Sequence, residues 1–138
     1  MSAPPAWPLL VLDSGGLTAV AANEPNAVAA IDYSARHGLP VLVPSVVIAE
    51  STRGNASDAR INAVIGKVSV VAVREAEARI AARLKTAAGM SGVEHTIDAL
   101  VVAAAAAAGG GAVLTSDRQD IQTLAESVPG RAVRAVRV

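Results

Sequence analysis

Short runs of β-branched and aliphatic residues recur along this chain, each followed by a stretch with helical periodicity, and that alternation restricts the fold more than any other feature. Residues 9–12, 40–43, 68–73, 112–115 and 131–138 read as strands. Residues 17–22, 26–37, 45–53, 56–66, 74–88, 95–108 and 117–127 read as helices between them. Strands that are apolar throughout, joined by helical crossovers, are the pattern of βαβ units in a parallel sheet covered on both faces. The expectation is an α/β fold with a central parallel sheet of about five strands.

Local signals refine the boundaries. Gly38 stands where a helix closes through a left-handed residue. Pro44 lets the chain turn, and Ser45 is placed to cap the following helix. In 74–88, Ile80 and Leu84 share one face and the charges occupy the other. Gly109-Gly110-Gly111 follows a helix and precedes a strand. A dinucleotide-binding loop has the reverse order, so the triplet reads as a helix-terminating turn and nucleotide binding of that type is excluded.

With 138 residues the chain reads as one domain over 1–138, large enough for its own core. Phe is absent and only Trp7 and Tyr33 are aromatic, so Val, Leu, Ile and Ala must fill that core. Stacking of bases on aromatic platforms is excluded on the same ground. There is no Cys, which removes disulfides, thiolate chemistry and zinc–sulfur sites. Lys+Arg and Asp+Glu both number 12, giving a formal net charge of zero. A broad electrostatic footprint for nucleic acid is therefore unsupported, and a polyanion has to be gripped locally. Residues 1–8 lack a basic segment and do not read as a signal peptide. The apolar stretch 99–114 is broken by its glycines and falls short of the roughly 20 residues a bilayer span requires. A soluble, cytoplasmic protein without a membrane partner is expected.

Against this background four acids stand at the margins of apolar runs. Asp13 ends Leu9-Leu10-Val11-Leu12, Glu50 follows Val46-Val47-Ile48-Ala49, Asp98 opens an alanine-rich helix, and Asp117 follows Leu114-Thr115-Ser116. Carboxylates on buried elements are costly unless something pairs with them. Glu50 is expected to be buried by its neighbours, with Arg53 as its one ion-pair candidate. Few basic residues flank the other acids, and hard divalent cations take oxygen ligands. Each acid also has an ordinary reading. Asp117 serves as a helix N-cap, with Ser116 and Gln119 forming a capping-box pattern; Asp98 and Asp120 favour a helix dipole; Glu50 forms a helix-surface pair.

Taken in order, Val11-Leu12-Asp13-Ser14 before a helix, Ile48-Ala49-Glu50 after a Pro-Ser turn, Ile97-Asp98-Ala99-Leu100-Val101-Val102, and Leu114-Thr115-Ser116-Asp117 resemble the PIN domain family. In length the chain is similar to the VapC-type toxin ribonucleases of type II toxin–antitoxin pairs. The resemblance covers nearly the whole chain. It implies a three-layer α/β/α sandwich with strand order 3-2-1-4-5 and a Mg²⁺ or Mn²⁺ site formed by Asp13, Glu50, Asp98 and Asp117, with Asp120 as an auxiliary. These residues would act in hydrolysis of RNA phosphodiesters by a metal-activated water, leaving 5′-phosphate and 3′-hydroxyl ends. A homodimer and a small antitoxin partner, with a basic residue reaching the acidic pocket, are further implications. Arg53-Gly54 matches a basic residue often found after the family's Glu. Gly15-Gly16 departs from the bulkier residue that many members carry after Asp13 and a hydroxyl.

In a 3-2-1-4-5 sheet the winding reverses between strands one and four, and ligands of open parallel sheets bind at the carboxyl ends of such a pair. Asp13 and Asp117 follow those strands. Arg53 and Arg118 are candidate phosphate contacts, while Glu94 and His95 read as an exposed helix start. With no acid–base pair involving His37 or His95, a histidine-based nuclease is disfavoured. The alternative is a catalytically weak PIN-like module that binds a partner or RNA. A phosphoacceptor receiver domain is disfavoured, because neither Lys67 nor Lys85 follows the fourth strand.

Overall fold

The computed structural model describes residues 7–138; the expectation for 1–8 lies largely outside them. Among the described residues five strands form one parallel sheet in the order β3-β2-β1-β4-β5. The strands are β1 (Leu10–Leu12), β2 (Val41–Pro44), β3 (Ser69–Val71), β4 (Gly111–Thr115) and β5 (Val133–Arg137). The helices are α1 (Ser14–Ala21), α2 (Pro25–Arg36), α3 (Ser45–Ser51), α4 (Ala59–Ile65), α5 (Glu75–Ala87), α6 (Thr96–Ala107) and α7 (Arg118–Glu126). The helices fall into two groups, α1, α2 and α4 in one and α5, α6 and α7 in the other. This is the expected three-layer α/β/α architecture, with α1 packed on α2 and α4, and α6 packed on α5 and α7.

The central strands are the ones that read as continuous apolar runs. β1 pairs with β2 through Leu10↔Val41 and with β4 through Leu12↔Leu114. Leu10, Leu12, Leu17, Leu114, Ile121 and Leu124 are fully buried, so aliphatic side chains do build the core. α6 lies across the sheet because small residues let it approach closely: Ala99, Val101, Val102, Ala103 and Ala105 are all sealed from solvent. Its end confirms the reading of the glycine triplet. Gly109 N–H donates to the Ala106 carbonyl and Gly110 N–H to that of Ala105, with both glycines at positive φ, which closes the helix in a Schellman turn.

Several boundaries differ from expectation for identifiable reasons. α1 begins at Ser14 rather than residue 17, because Asp13 caps it and both glycines join its first turn. Pro44 is the last residue of β2 and itself occupies the N-cap of α3. Ser45 therefore does not cap; its hydroxyl accepts from the Val73 N–H at 3.2 Å and ties α3 to the end of the β3 connection. The helix expected over 56–66 splits into a 3-10 turn (Ala56–Asp58) and α4. β3 is shorter than its apolar run and lies at the sheet edge, with Val70 exposed. No helix of the described residues is long and apolar enough to cross a membrane.

Candidate metal centre

The site is built where β1 and β4 end side by side. Asp13 follows β1, and its N–H donates to the Leu114 carbonyl at 3.3 Å, so the chain leaves the sheet in contact with β4. The Asp13 carboxylate accepts from Gly16 N–H at 2.7 Å, which caps α1. It also receives a hydrogen bond from the buried Thr115 side chain. Two residues beyond β4, Asp117 caps α7 by accepting from Asp120 N–H at 3.3 Å. That replaces the Ser116–Gln119 capping box read from the sequence.

Close approach explains the paired glycines. A Cβ on Gly16 would lie 2.2 Å from the Leu114 carbonyl oxygen, and one on Gly15 would lie 2.1 Å from Ser116 Oγ. Gly15-Gly16 thus allows the first turn of α1 to rest against the end of β4. The departure from the family pattern has a packing role in bringing the Asp13 and Asp117 segments together.

From the other face, the first turn of α6 delivers Asp98 and the first turn of α7 delivers Asp120. Carboxylate oxygens of Asp98, Asp117 and Asp120 lie within 4.8 Å of one another. Asp13 and Glu50 are not part of that tight group, but their charges act on it. Burial raises the Asp98 carboxyl to about 6, with repulsion from Asp13, Asp117, Glu50 and Asp120 adding in that order. Asp13 is also raised, first by burial; hydrogen bonds from Thr115 and Gly16 oppose this, and Glu50 and Asp117 reinforce it.

Glu50 is placed differently from the expectation. It is exposed, not buried, and forms no ion pair with Arg53. α3 starts at the carboxyl end of β2 and buries only Val47, so its last residues stand clear of the sheet. Glu50 consequently lines a cleft of about 470 Å³ with Ser14, Thr18, Thr52, Arg53 and Ser116. A second cleft of about 480 Å³ begins on the other side of Ser116 and is lined by Asp117, Arg118, Gln122 and Arg137. The two share Ser116, and each sets one acid, Glu50 or Asp117, beside arginine.

His95, expected at an exposed helix start, is instead a half-buried neighbour of the cluster. Its side chain is 25% exposed, with Nδ1 3.8 Å from Asp120 Oδ2 and Nε2 3.6 Å from Glu94 Oε1. The available signal is spacing: His95 precedes Asp98 by one helical turn and so shares its face. Arg137, at the end of β5, also escapes a reading that looks only beside acidic motifs. Among the described residues no Lys or Arg lies within ion-pair distance of Asp13, Glu50, Asp98, Asp117 or Asp120. Oxygen donors that crowd one another without a Lys or Arg partner are the donor set a hard divalent cation requires.

The family model for the PIN domain matches residues 10–126. The chain belongs to the PIN domain family. That match spans all five acids. No curated protein sequence matches the chain significantly. Solved structures of similar fold include VapBC2 from Rickettsia felis bound to a DNA fragment from their promoter, with a TM-score of 0.70 at 11% identity over 94% of this chain and 98% of that one. DNA-bound VapBC from Salmonella typhimurium gives 0.66 at 16% identity, covering 94% and 97%. FitAB bound to an IR36 DNA fragment gives 0.64 at 19%, covering 94% of each. At these identities the likeness establishes the PIN fold, and the nuclease character belongs to the family.

Proposed function

We propose that this PIN domain is a Mg²⁺- or Mn²⁺-dependent endoribonuclease and acts as the toxin of a type II toxin–antitoxin pair. One observation carries the proposal: Asp98, Asp117 and Asp120 converge within 4.8 Å beyond the strand ends, where among the described residues no Lys or Arg neutralises them and His95 alone stands beside Asp120. Those three would hold the cation, with Asp13 and Glu50 completing the negative field. A divalent ion bound there would supply an activated water and neutralise charge developing on a phosphate. The chain's own contributions are positional. Gly16 and Thr115 fix the Asp13 carboxylate, and His95 stands against Asp120 from outside the cluster. Arg53 in one cleft and Arg118 with Arg137 in the other are disposed to take phosphates on either side of the scissile bond.

The antitoxin is part of the same proposal. The VapBC and FitAB assemblies of similar fold support it. So does a groove of about 630 Å³, lined by Val20, Val28, Ile31, Val41, Val64 and Val68 together with Arg60 and Lys67, which contains none of the acids. A groove of that composition suits the apolar face of a partner helix. The chain is further proposed to form a homodimer and to work in the cytoplasm; a monomer by light scattering at micromolar concentration would refute the dimer. The test of the activity is end-mapping of a single-stranded RNA incubated with the purified protein. Internal cuts bearing 5′-phosphates, present with Mg²⁺ or Mn²⁺ and absent with chelator, are expected. Cyclic phosphate ends, or no cuts with either ion, would overturn the proposal.

A further inference from the structure

Among the described residues two buried carboxylates lie outside the acidic cluster: Glu77, which pairs with Arg74 at 3.0 Å, and Asp58. Asp58 is only 5% exposed, yet it belongs neither to the acidic cluster nor to any ion pair among the described residues. Its partners are backbone groups of a single tight loop. Arg53 N–H is 3.0 Å from both carboxylate oxygens, Gly54 N–H donates to Oδ2 at 2.7 Å, and Asn55 N–H does so at 3.3 Å. Asn55 returns the arrangement by accepting from Ser57 N–H at 2.9 Å, which makes a capping box at the start of the 3-10 turn. Gly54 takes φ +77 to fold the three N–H groups onto one carboxylate, and its missing side chain faces open space. The Arg53 N–H contributes most to holding the Asp58 carboxyl below the usual range.

α3 ends at Ser51 and Thr52 is its C-cap, so Arg53 is the first residue past the helix. Its side chain lines the cleft that also holds Glu50, Ser14 and Ser116, and it is not held by an acidic partner there. An arginine on an unanchored loop would lose much of its binding energy to ordering. We propose that Asp58 is a positioning residue for substrate. By clamping the Arg53–Gly54–Asn55 backbone, it presents the Arg53 guanidinium to an RNA phosphate bound in the cleft beside Glu50. This rests on the nuclease reading given above and adds to it a subsite and the residue that preorganises it.

The test compares Asp58→Asn, Arg53→Ala and their double variant in steady-state cleavage of a single-stranded RNA with Mg²⁺. Each single variant is expected to raise KM roughly tenfold, the scale of a hydrogen bond to a charged group, with kcat little changed. Because Asp58 acts through Arg53, the double variant should show no higher KM than Arg53→Ala alone. Gly54→Val opens the same turn from an exposed position that cannot disturb the core, and it should reproduce the KM rise even if Asp58→Asn folds poorly. Trypsin should cut after Arg53 faster in Asp58→Asn and Gly54→Val than in wild type, a readout that needs no RNA. Unchanged KM in both loop variants, or equal effects of Asp58→Asn with and without Arg53, overturns the positioning role. A wild type that cleaves no RNA overturns the nuclease reading instead, and unaltered trypsin cleavage then overturns the clamp as well.

Discussion

The Thr115 side-chain oxygen accepts a hydrogen bond from the Asp117 N–H at 2.9 Å. The same buried side chain hydrogen-bonds the Asp13 carboxylate, so one residue at the end of β4 links the two acids that follow the central strands. Thr115→Val preserves the shape and removes both bonds. It should destabilise the protein by about 1–2 kcal/mol, as expected when buried partners are left unpaired. It should also lower RNA cleavage by roughly tenfold or more, as outer-shell changes commonly do. Urea melts and initial rates measured on one preparation check both; unchanged activity with lowered stability would leave Thr115 a purely structural strand end.

Asp98 ties activity to the stability of the metal-free protein. Its carboxyl is raised from 3.8 to about 6, so between those values the folded state binds a proton that the unfolded chain has released. Stability then falls as pH rises through that window, and the loss is complete above about 6. Asp98→Asn keeps the shape and deletes the charge. The variant should lose cleavage by orders of magnitude, yet melt at or above metal-free wild type near pH 7, with a flatter pH profile between 4 and 6. Thermal melts in chelator across that range decide the matter. A strong loss of stability in the variant at pH 7 would show Asp98 to be a structural cap.

The strand runs, their flanking helices and the four acids are legible in the sequence because each depends on local residue type. Continuous apolar runs mark central strands, and a carboxylate at the end of such a run signals a partner. Glu50 shows where that logic stops. Its neighbours are apolar, but α3 leaves the sheet within two turns, and exposure there is set by helix length rather than by composition. The tight grouping of Asp120 with Asp98 and Asp117 depends on how α6 and α7 cross at the strand ends, which no local pattern encodes. Asp58 falls inside the helix expected over 56–66, and its role emerges only where the left-handed Gly54 folds three N–H groups onto it.

The paired glycines give a test of packing against propensity. Gly16 is helical, so alanine there is favoured by about 1 kcal/mol on backbone grounds. A Cβ would, however, sit 2.2 Å from a backbone oxygen of Leu114, which cannot rotate away. Overpacking of that kind costs about 1–3 kcal/mol and should win. Gly16→Ala is therefore expected to lower the melting temperature and to depress activity by shifting Asp13. Gly15→Ala meets mainly the Ser116 side chain, which is exposed, and should have the smaller effect. The reverse ranking in thermal melts would contradict the close approach of α1 to β4.

Ion selectivity follows from the donor set. Carboxylate oxygens suit Mg²⁺, Mn²⁺ and Ca²⁺ alike, but Ca²⁺ accepts looser geometry and activates water poorly. Ca²⁺ should therefore raise the melting temperature of wild type while supporting little cleavage, and should inhibit when added to Mg²⁺ reactions. Cleavage in Ca²⁺ as fast as in Mg²⁺ would point to a reaction in which the ion only shapes the site.

Calorimetric titration of Mn²⁺ into the metal-free protein, in wild type and in Asp98→Asn side by side, tests the acidic cluster most directly. Saturable binding by wild type, weakened at least about tenfold in the variant, is the expected result, since one charged oxygen donor of the set is lost. Equal binding by the two proteins, or none by wild type, would contradict the assignment of Asp98, Asp117 and Asp120 as a divalent-cation site.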